Sequence, residues 1–208
     1  MVIKAVLFDF GGVISSSPFE AFGHLETERG LPADFIRTVN ATNPDTNAWA
    51  KLERGEVDLE TFGSLWSEEA RALGHELDGR LVLERLAGEI RPTMVDAIRS
   101  CRTKYKTACL TNNFTRAEAI LSDEVAAVYG LFDAILESRV LGVRKPDPHF
   151  YELACEALEV EPDECVFLDD LGVNLKPARA LGMHTIKVSD PDTALIELGE
   201  LTGLSLAG

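Results

Sequence analysis

Positive charge is scarce in this chain. Of 208 residues, 20 are lysine or arginine and 35 are aspartate or glutamate, a formal net charge of −15. Nucleic-acid binding needs a basic footprint, so this balance argues against a nucleic-acid partner. It also repels an anionic small molecule at long range, unless a metal or local basic residues reverse the field. Long apolar runs are missing too: none approaches the roughly 20 residues of a membrane helix, so no membrane partner is expected. The N-terminus lacks the basic, apolar and small-residue order of a secretory leader. Cysteine is sparse, and Cys101, Cys109, Cys155 and Cys165 form no CxxC pair. Cys109 and Cys165 sit in apolar, strand-like runs, where a free thiol behaves as a small hydrophobe. The expectation is reduced, buried thiols and a cytoplasmic location. The four histidines, His24, His75, His149 and His184, show no metal-ligand spacing and read as structural. There is no internal repeat and no low-complexity tail.

What is present is apolar material for a core, 46% of the chain, at a length that suits one large domain or a domain with an insertion. The chain opens on Val2–Ile14, an apolar, β-branched-rich run that ends at Asp9 and is followed at once by Gly11 and Gly12. A continuous apolar run is the mark of a strand buried in a parallel sheet. Ligands of such sheets sit outside the carboxyl ends of the strands, where Asp9 stands. The glycines allow backbone to approach whatever it contacts. Taken alone, a strand-Asp-Gly sequence serves equally well as a turn.

After Ser15-Ser16-Ser17-Pro18 the pattern turns helical. Phe19–Arg29 is amphipathic and stops at Gly30, and Leu31-Pro32-Ala33-Asp34 begins a second helix towards Val39. Asn43-Pro44-Asp45 leads a third through Trp49 and Leu52 to Gly55. Asp58 is placed as N-cap for Leu59–Leu73, and Leu77–Leu86 is helical again. Pro18 to Ala87 therefore reads as all-helical, with Trp49, Trp66 and its phenylalanines as core aromatics. From Pro92 helices and strands alternate. Helices are expected from Pro92 to about Cys101, over about Thr115–Ser122, and over Pro146–Leu158, Asn174–Leu181 and Thr193–Leu201. Strands are expected at Tyr105–Leu110, Phe132–Glu137, Cys165–Leu168 and Thr185–Val188. The fold class is α/β, a doubly wound (Rossmann-like) parallel sheet with helices on both faces. Residues 1–17 and 88–208 form this core domain, and 18–87 form a small all-helical domain inserted into it.

The strand ends collect a chemically coherent set. The first supplies Asp9, the second Thr111 and Asn112, and the fourth Asp169 and Asp170, while Arg144-Lys145-Pro146 follows the third. Three carboxylates brought together repel each other, so either one is protonated or a cation neutralises them. Oxygen ligands suit Mg²⁺, which takes one or two carboxylates together with substrate phosphate oxygens. Thr111 and Asn112 as neutral donors and Lys145 as a point charge complete a set able to hold a phosphate. Each part also has a plain structural alternative. Thr111 serves equally as a cap, Lys145 as a solvated lysine, and Asp169-Asp170 as a helix N-cap pair.

In this order, D-x-x-x-V, then T-N after a strand, K-P before a helix and D-D after a strand, the chain resembles the haloacid dehalogenase-like (HAD) hydrolase superfamily. Locally it is most similar to the N-terminal phosphatase domain of soluble epoxide hydrolase, through ACLTNN (Ala108–Asn113), VRKPDPHFY (Val143–Tyr151) and VFLDDLGVNLKPARALGMHTI (Val166–Ile186). The resemblance implies that 18–87 is a cap domain and that Asp9 is a nucleophile forming an aspartyl-phosphate. It implies that Asp9, the carbonyl of Gly11, Asp170 and Asp169 hold Mg²⁺. Thr111, Asn112 and Lys145 would bind the phosphoryl group of a small phosphorylated substrate. Asn174 matches a further site residue of that domain or caps the helix it begins. Arg144 reads as a surface arginine. Phe19, Phe22, Trp49, Arg54 and Trp66 are the candidates for setting specificity. The oligomeric state is open between monomer and homodimer.

One position departs from the family pattern. Phosphatases of the family carry a second Asp two residues after the nucleophile, which protonates the leaving oxygen and then activates water; here that residue is Gly11. Positioned proton transfer is worth about 10²–10⁴-fold. The first reading is a phosphatase, of weakened activity, for substrates with good leaving groups such as acyl or aryl phosphates. The second is a protein that binds a phosphorylated ligand without turnover. The third is a 2-haloacid dehalogenase, a branch that also lacks the second Asp, although the Asp169-Asp170 pair argues for a metal site. C–P bond hydrolysis would want a cap lysine, for which Lys51 is the one candidate between Pro18 and Ala87.

Overall fold

The computed structural model describes residues 2–86, 88–113 and 122–206. The first strand, β1 (Ala5–Phe8), is fully buried. A segment of five helices follows: α1 (Phe19–Arg29), α2 (Phe35–Ala41), α3 (Ala48–Glu53), α4 (Leu59–Ala72) and α5 (Gly79–Glu84). The chain then returns through α6 (Pro92–Cys101), β2 (Lys106–Thr111), α7 (Asp123–Tyr129) and β3 (Ala134–Glu137). It ends with α8 (Ser138–Leu141), α9 (Pro148–Leu158), β4 (Cys165–Asp169), α10 (Gly172–Ala180), β5 (His184–Lys187) and α11 (Pro191–Thr202).

The five strands form one parallel sheet in the order β3-β2-β1-β4-β5. The chain winds outward from β1 to one edge and then crosses back to the other, which is the doubly wound topology. β1 shows how residues of alternate parity divide the core. Val6 and Phe8 join Ile98 of α6 and Leu195 and Leu198 of α11 on one face. Ala5 and Leu7 join Phe150 and Ala154 of α9 and Leu175 of α10 on the other. The helices α1–α5 bury a separate cluster that includes Phe22, Phe62 and Trp66, so the aromatics expected in a helical core are there. Ser15 and Ile90 form an antiparallel bridge where the chain enters and leaves this helical segment. The bonds Ser16 N to Glu89 O and Arg91 N to Ile14 O, both 2.8 Å, flank it.

Several element limits differ from the sequence reading for local reasons. β3 starts at Ala134 rather than Phe132, because the Asp133 carboxylate accepts the Thr107 N–H at 2.7 Å just before pairing begins. α9 starts at Pro148 rather than Pro146: Asp147 is its N-cap and accepts from His149 N. α7 was not foreseen, although Ser122 caps it through Val125 N and Asp123 and Glu124 fill its first turn. The helix expected over about Thr115–Ser122 lies outside the described residues except for Ser122, which is the N-cap of α7. All four cysteines are buried and none is in a disulfide. No helix among the described residues is long and apolar enough to cross a membrane.

Candidate active site

β1 delivers Asp9 one residue past its last paired position, with the Asp9 N–H donating to Leu168 O at 2.9 Å. The chain then turns through Phe10–Ile14, closed by Ser15 N donating to Phe10 O. Within this loop Gly12 has φ +79°, and a Cβ there would lie 2.3 Å from Asp170 Oδ2. Backbone therefore packs directly on that carboxylate, which only glycine permits. Gly11 is different: φ is −72°, ψ is 128°, and among the described residues nothing lies within 4 Å of where its Cβ would be. Arg91 Nη1 donates to Gly12 O at 2.9 Å and braces the loop.

The neighbouring strands complete the cluster. Asp169 ends β4, and one oxygen from each of Asp9, Asp169 and Asp170 lies within 4.8 Å of the others. Lys145 is brought in by the loop after α8, across a cis Lys145–Pro146 peptide. Its ammonium is 2.9 Å from Asp9 Oδ1 and 2.8 Å from Asp169 Oδ2, above the Phe167 ring, and the side chain is 1% exposed. It is an internal bridge and not a solvated lysine. Asn112 clamps the Lys145 backbone: its Oδ1 accepts the Lys145 N–H and its Nδ2 donates to the Lys145 carbonyl, both at 2.9 Å. Thr111 ends β2 and is buried beside it. Asn174 lies inside α10 and caps nothing; its Nδ2 donates to both oxygens of Asp169. Asp169 Oδ1 also accepts from Leu171 N, so this carboxylate both serves the cluster and holds the turn between β4 and α10; it is not the helix N-cap, which is Leu171.

Burial dominates the electrostatics. It pushes the Asp9 carboxyl well above its ordinary range, with Asp169 and Asp170 adding repulsion that Lys145 only partly offsets. It pushes Asp170 up to about 6, with Asp169 adding to the rise. Burial works against the charge of Lys145, but Asp169 and Asp9 outweigh it and hold the ammonium protonated. Three carboxylates around one ammonium are short of positive charge, and a cation would relieve this.

Sequence reasoning missed one part of the surroundings. Glu53, the last residue of α3, is a buried carboxylate at the seam between the helical segment and the strand ends. Its Oε1 accepts from Trp49 Nε1 at 2.8 Å. Arg144 Nε lies 2.7 Å from its Oε2, close enough for an ion pair though not aligned as a hydrogen bond. Arg144 also donates to Pro44 O, so it joins the two parts of the molecule and is not a surface arginine. Burial pushes the Glu53 carboxyl from its ordinary 4.5 up to about 7, against Arg144 and the Trp49 indole. The available signal was that Glu53 follows Trp49 by four residues and so shares its helix face. Of the specificity candidates, Phe22 and Trp66 are spent in the buried helical cluster. Arg54 pairs with Glu56 and Asp45 O.

The family pattern for haloacid dehalogenase-like hydrolases matches residues 3–182. The chain belongs to this family. It is similar to mouse acyl-CoA dehydrogenase family member 10, 37% identical over 98% of this chain and 19% of that one. It is 32% identical to pig bifunctional epoxide hydrolase 2, over 99% of this chain and 40% of that one. The chain thus spans less than half the length of these two relatives. The phosphatase MT3486 of Mycobacterium tuberculosis is 30% identical over 90% of this chain and 88% of its own. A HAD family enzyme of Bacteroides thetaiotaomicron, solved as an Asp-to-Ala mutant with magnesium and inorganic phosphate, shares the fold. Its TM-score is 0.59 at 21% identity, over 89% of this chain and 93% of that one.

Proposed function

We propose that this HAD-like hydrolase is a Mg²⁺-dependent phosphatase of small phosphorylated molecules, acting through Asp9. The observation that carries the reading is the cluster of Asp9, Asp169 and Asp170 around the buried Lys145 at adjoining strand ends. An all-oxygen donor set of clustered carboxylates fits a hard divalent cation. Asp9, Asp169, Asp170 and the Gly11 carbonyl would hold Mg²⁺, which when bound offsets charge on the phosphoryl oxygens. A carboxylate oxygen of Asp9 attacks phosphorus, and the bond to the leaving oxygen breaks with its electron pair. Lys145 and Thr111 hold the phosphoryl oxygens, while Asn112 holds Lys145. Water then attacks phosphorus, the bond between the Asp9 oxygen and phosphorus, a mixed anhydride, breaks with its electron pair returning to the carboxylate, the water gives up a proton to solvent, and phosphate leaves. Residues 18–87 act as a cap over the core of 1–17 and 88–208, and closure excludes bulk water.

The open space beside Gly11 supports a restriction on substrate. Among the described residues no side chain lies within 4 Å of where a Cβ at Gly11 would stand, so none takes the place of a proton donor there, and substrates whose leaving oxygen departs as a stable anion are favoured. Acyl and aryl phosphates meet that condition. The same observation favours a second reading, a phosphorylated-ligand binder without turnover. Assays of acetyl phosphate and p-nitrophenyl phosphate, with Mg²⁺ and with chelator, separate the two. Mg²⁺-dependent turnover of either, abolished in Asp9→Asn, is the expected result. Tight phosphate binding with no turnover establishes the binder, and halide release from 2-haloacids in chelator would establish a dehalogenase.

A further inference from the structure

Glu53 stands outside the carboxylate cluster, yet it is bonded to the machinery that sets it. Its backbone carbonyl accepts from Ser138 Oγ at 2.6 Å, which seats the end of α3 on the start of α8. Its Oε2 lies 3.4 Å from Asn112 Nδ2, the same amide that clamps the Lys145 backbone. A buried carboxylate is tolerated only when its oxygens find donors or a counter-charge: here Trp49 and Asn112 donate to it and the Arg144 guanidinium stands beside it as an ion-pair partner. A continuous path therefore runs from α3 through the Asn112 amide to the Lys145 backbone, and from the Lys145 ammonium to Asp9 and Asp169.

We propose that Glu53 is a positioning residue: through Asn112 it fixes Lys145, so the reacting centre is fully set only when α3 is seated against the strand ends. This rests on the phosphoryl-transfer reading above. Without the Glu53 acceptor, one N–H of Asn112 loses its partner and the amide can turn away from Lys145. A displacement of the ammonium by about 1 Å is enough to cost about 10²-fold in rate.

The test is a double-mutant cycle on Glu53→Gln and Asn112→Ala, with Asn112→Ser replacing the alanine variant if that fails to fold. Glu53→Gln keeps the shape of the side chain and the Ser138 contact, but it offers one acceptor oxygen where the carboxylate offers two. On acetyl phosphate with Mg²⁺, each single variant should lose about 10–100-fold in kcat with KM nearly unchanged, because Lys145 acts on charge that develops in the transition state. The double variant should fall no more than about twofold below the poorer single. A contact that merely holds the fold together predicts losses that multiply. Multiplying losses, or a Glu53→Gln enzyme equal to wild type, overturn the proposal. Calorimetric titration of Mg²⁺ with inorganic phosphate runs in parallel. If wild type does not turn over, the phosphatase reading fails and the same cycle is read from phosphate affinity. If wild type binds no phosphate, both readings fall.

Discussion

At Gly12 a methyl group would have to occupy space already held by the Asp170 carboxylate, on a backbone with φ +79°. At Gly11, one residue earlier, a Cβ would meet none of the described residues within 4 Å, on an ordinary backbone. As turn residues the two glycines read alike, and only the family pattern sets Gly11 apart in the sequence; the structure gives them different backbone roles. Gly11→Asp should therefore fold normally and gain activity on alkyl phosphates, whose leaving oxygens need a proton. The ceiling is the about 10²–10⁴-fold that a positioned acid contributes. Steady-state rates on an alkyl and an aryl phosphate check this, and a fall on both would show that position 11 must be glycine. Gly12→Ala should do the reverse. It displaces Asp170 and adds roughly 1–2 kcal/mol of backbone strain. Mg²⁺ affinity by calorimetry should fall, together with turnover on every substrate.

Among the elements, α3 is short, six residues, and its place depends on its ends. Asn47 caps it through Ala50 N, and its amide donates to Asn40 O and Thr42 O, which ties α3 to the turn after α2. Asn47→Ala should cost about 1–2 kcal/mol, seen as a lower denaturation midpoint at unchanged denaturant slope. An unchanged midpoint would mean that the Ser138 and Arg144 contacts alone hold α3. The elements also show what sequence could reach. Strands were legible because a buried parallel strand is an uninterrupted apolar run, as in Val166–Leu168, with residues of the candidate site standing at its end. Asp9, Thr111, Asp169 and Asp170 were locatable by that rule. The Asn112–Lys145 clamp was not, since it joins residues 33 positions apart. α8 was missed because a single turn has no periodicity to read.

For the whole molecule, pH offers a handle on the seam. The Glu53 carboxyl has its pKa raised from 4.5 to about 7 by burial, so the folded state holds the proton more tightly than the unfolded state. Its contribution to stability is then fully present below pH 4.5 and is lost as pH rises through about 7, on the order of 3 kcal/mol. Glu53→Gln does not titrate. The melting temperature of wild type relative to Glu53→Gln should therefore drop by roughly 5–10 °C between pH 4.5 and pH 7.5. A constant difference over that range would mean that Arg144 neutralises Glu53 throughout.

The order β2-β1-β4 has a consequence of scale. Neighbouring strands lie about 4.8 Å apart, so Thr111, Asp9 and Asp169 leave the sheet across a span of about 10 Å. Backbone pairing acts as a ruler, and on the proposed reading that span would hold one tetrahedral anion and one cation. The rest of any ligand has to extend away from the sheet, towards α1–α5. On the phosphatase reading proposed above, the chemistry would be gauged by the part of the molecule least free to vary, and the choice of molecule would fall to a segment that enters and leaves the core beside the bridge of Ser15 and Ile90.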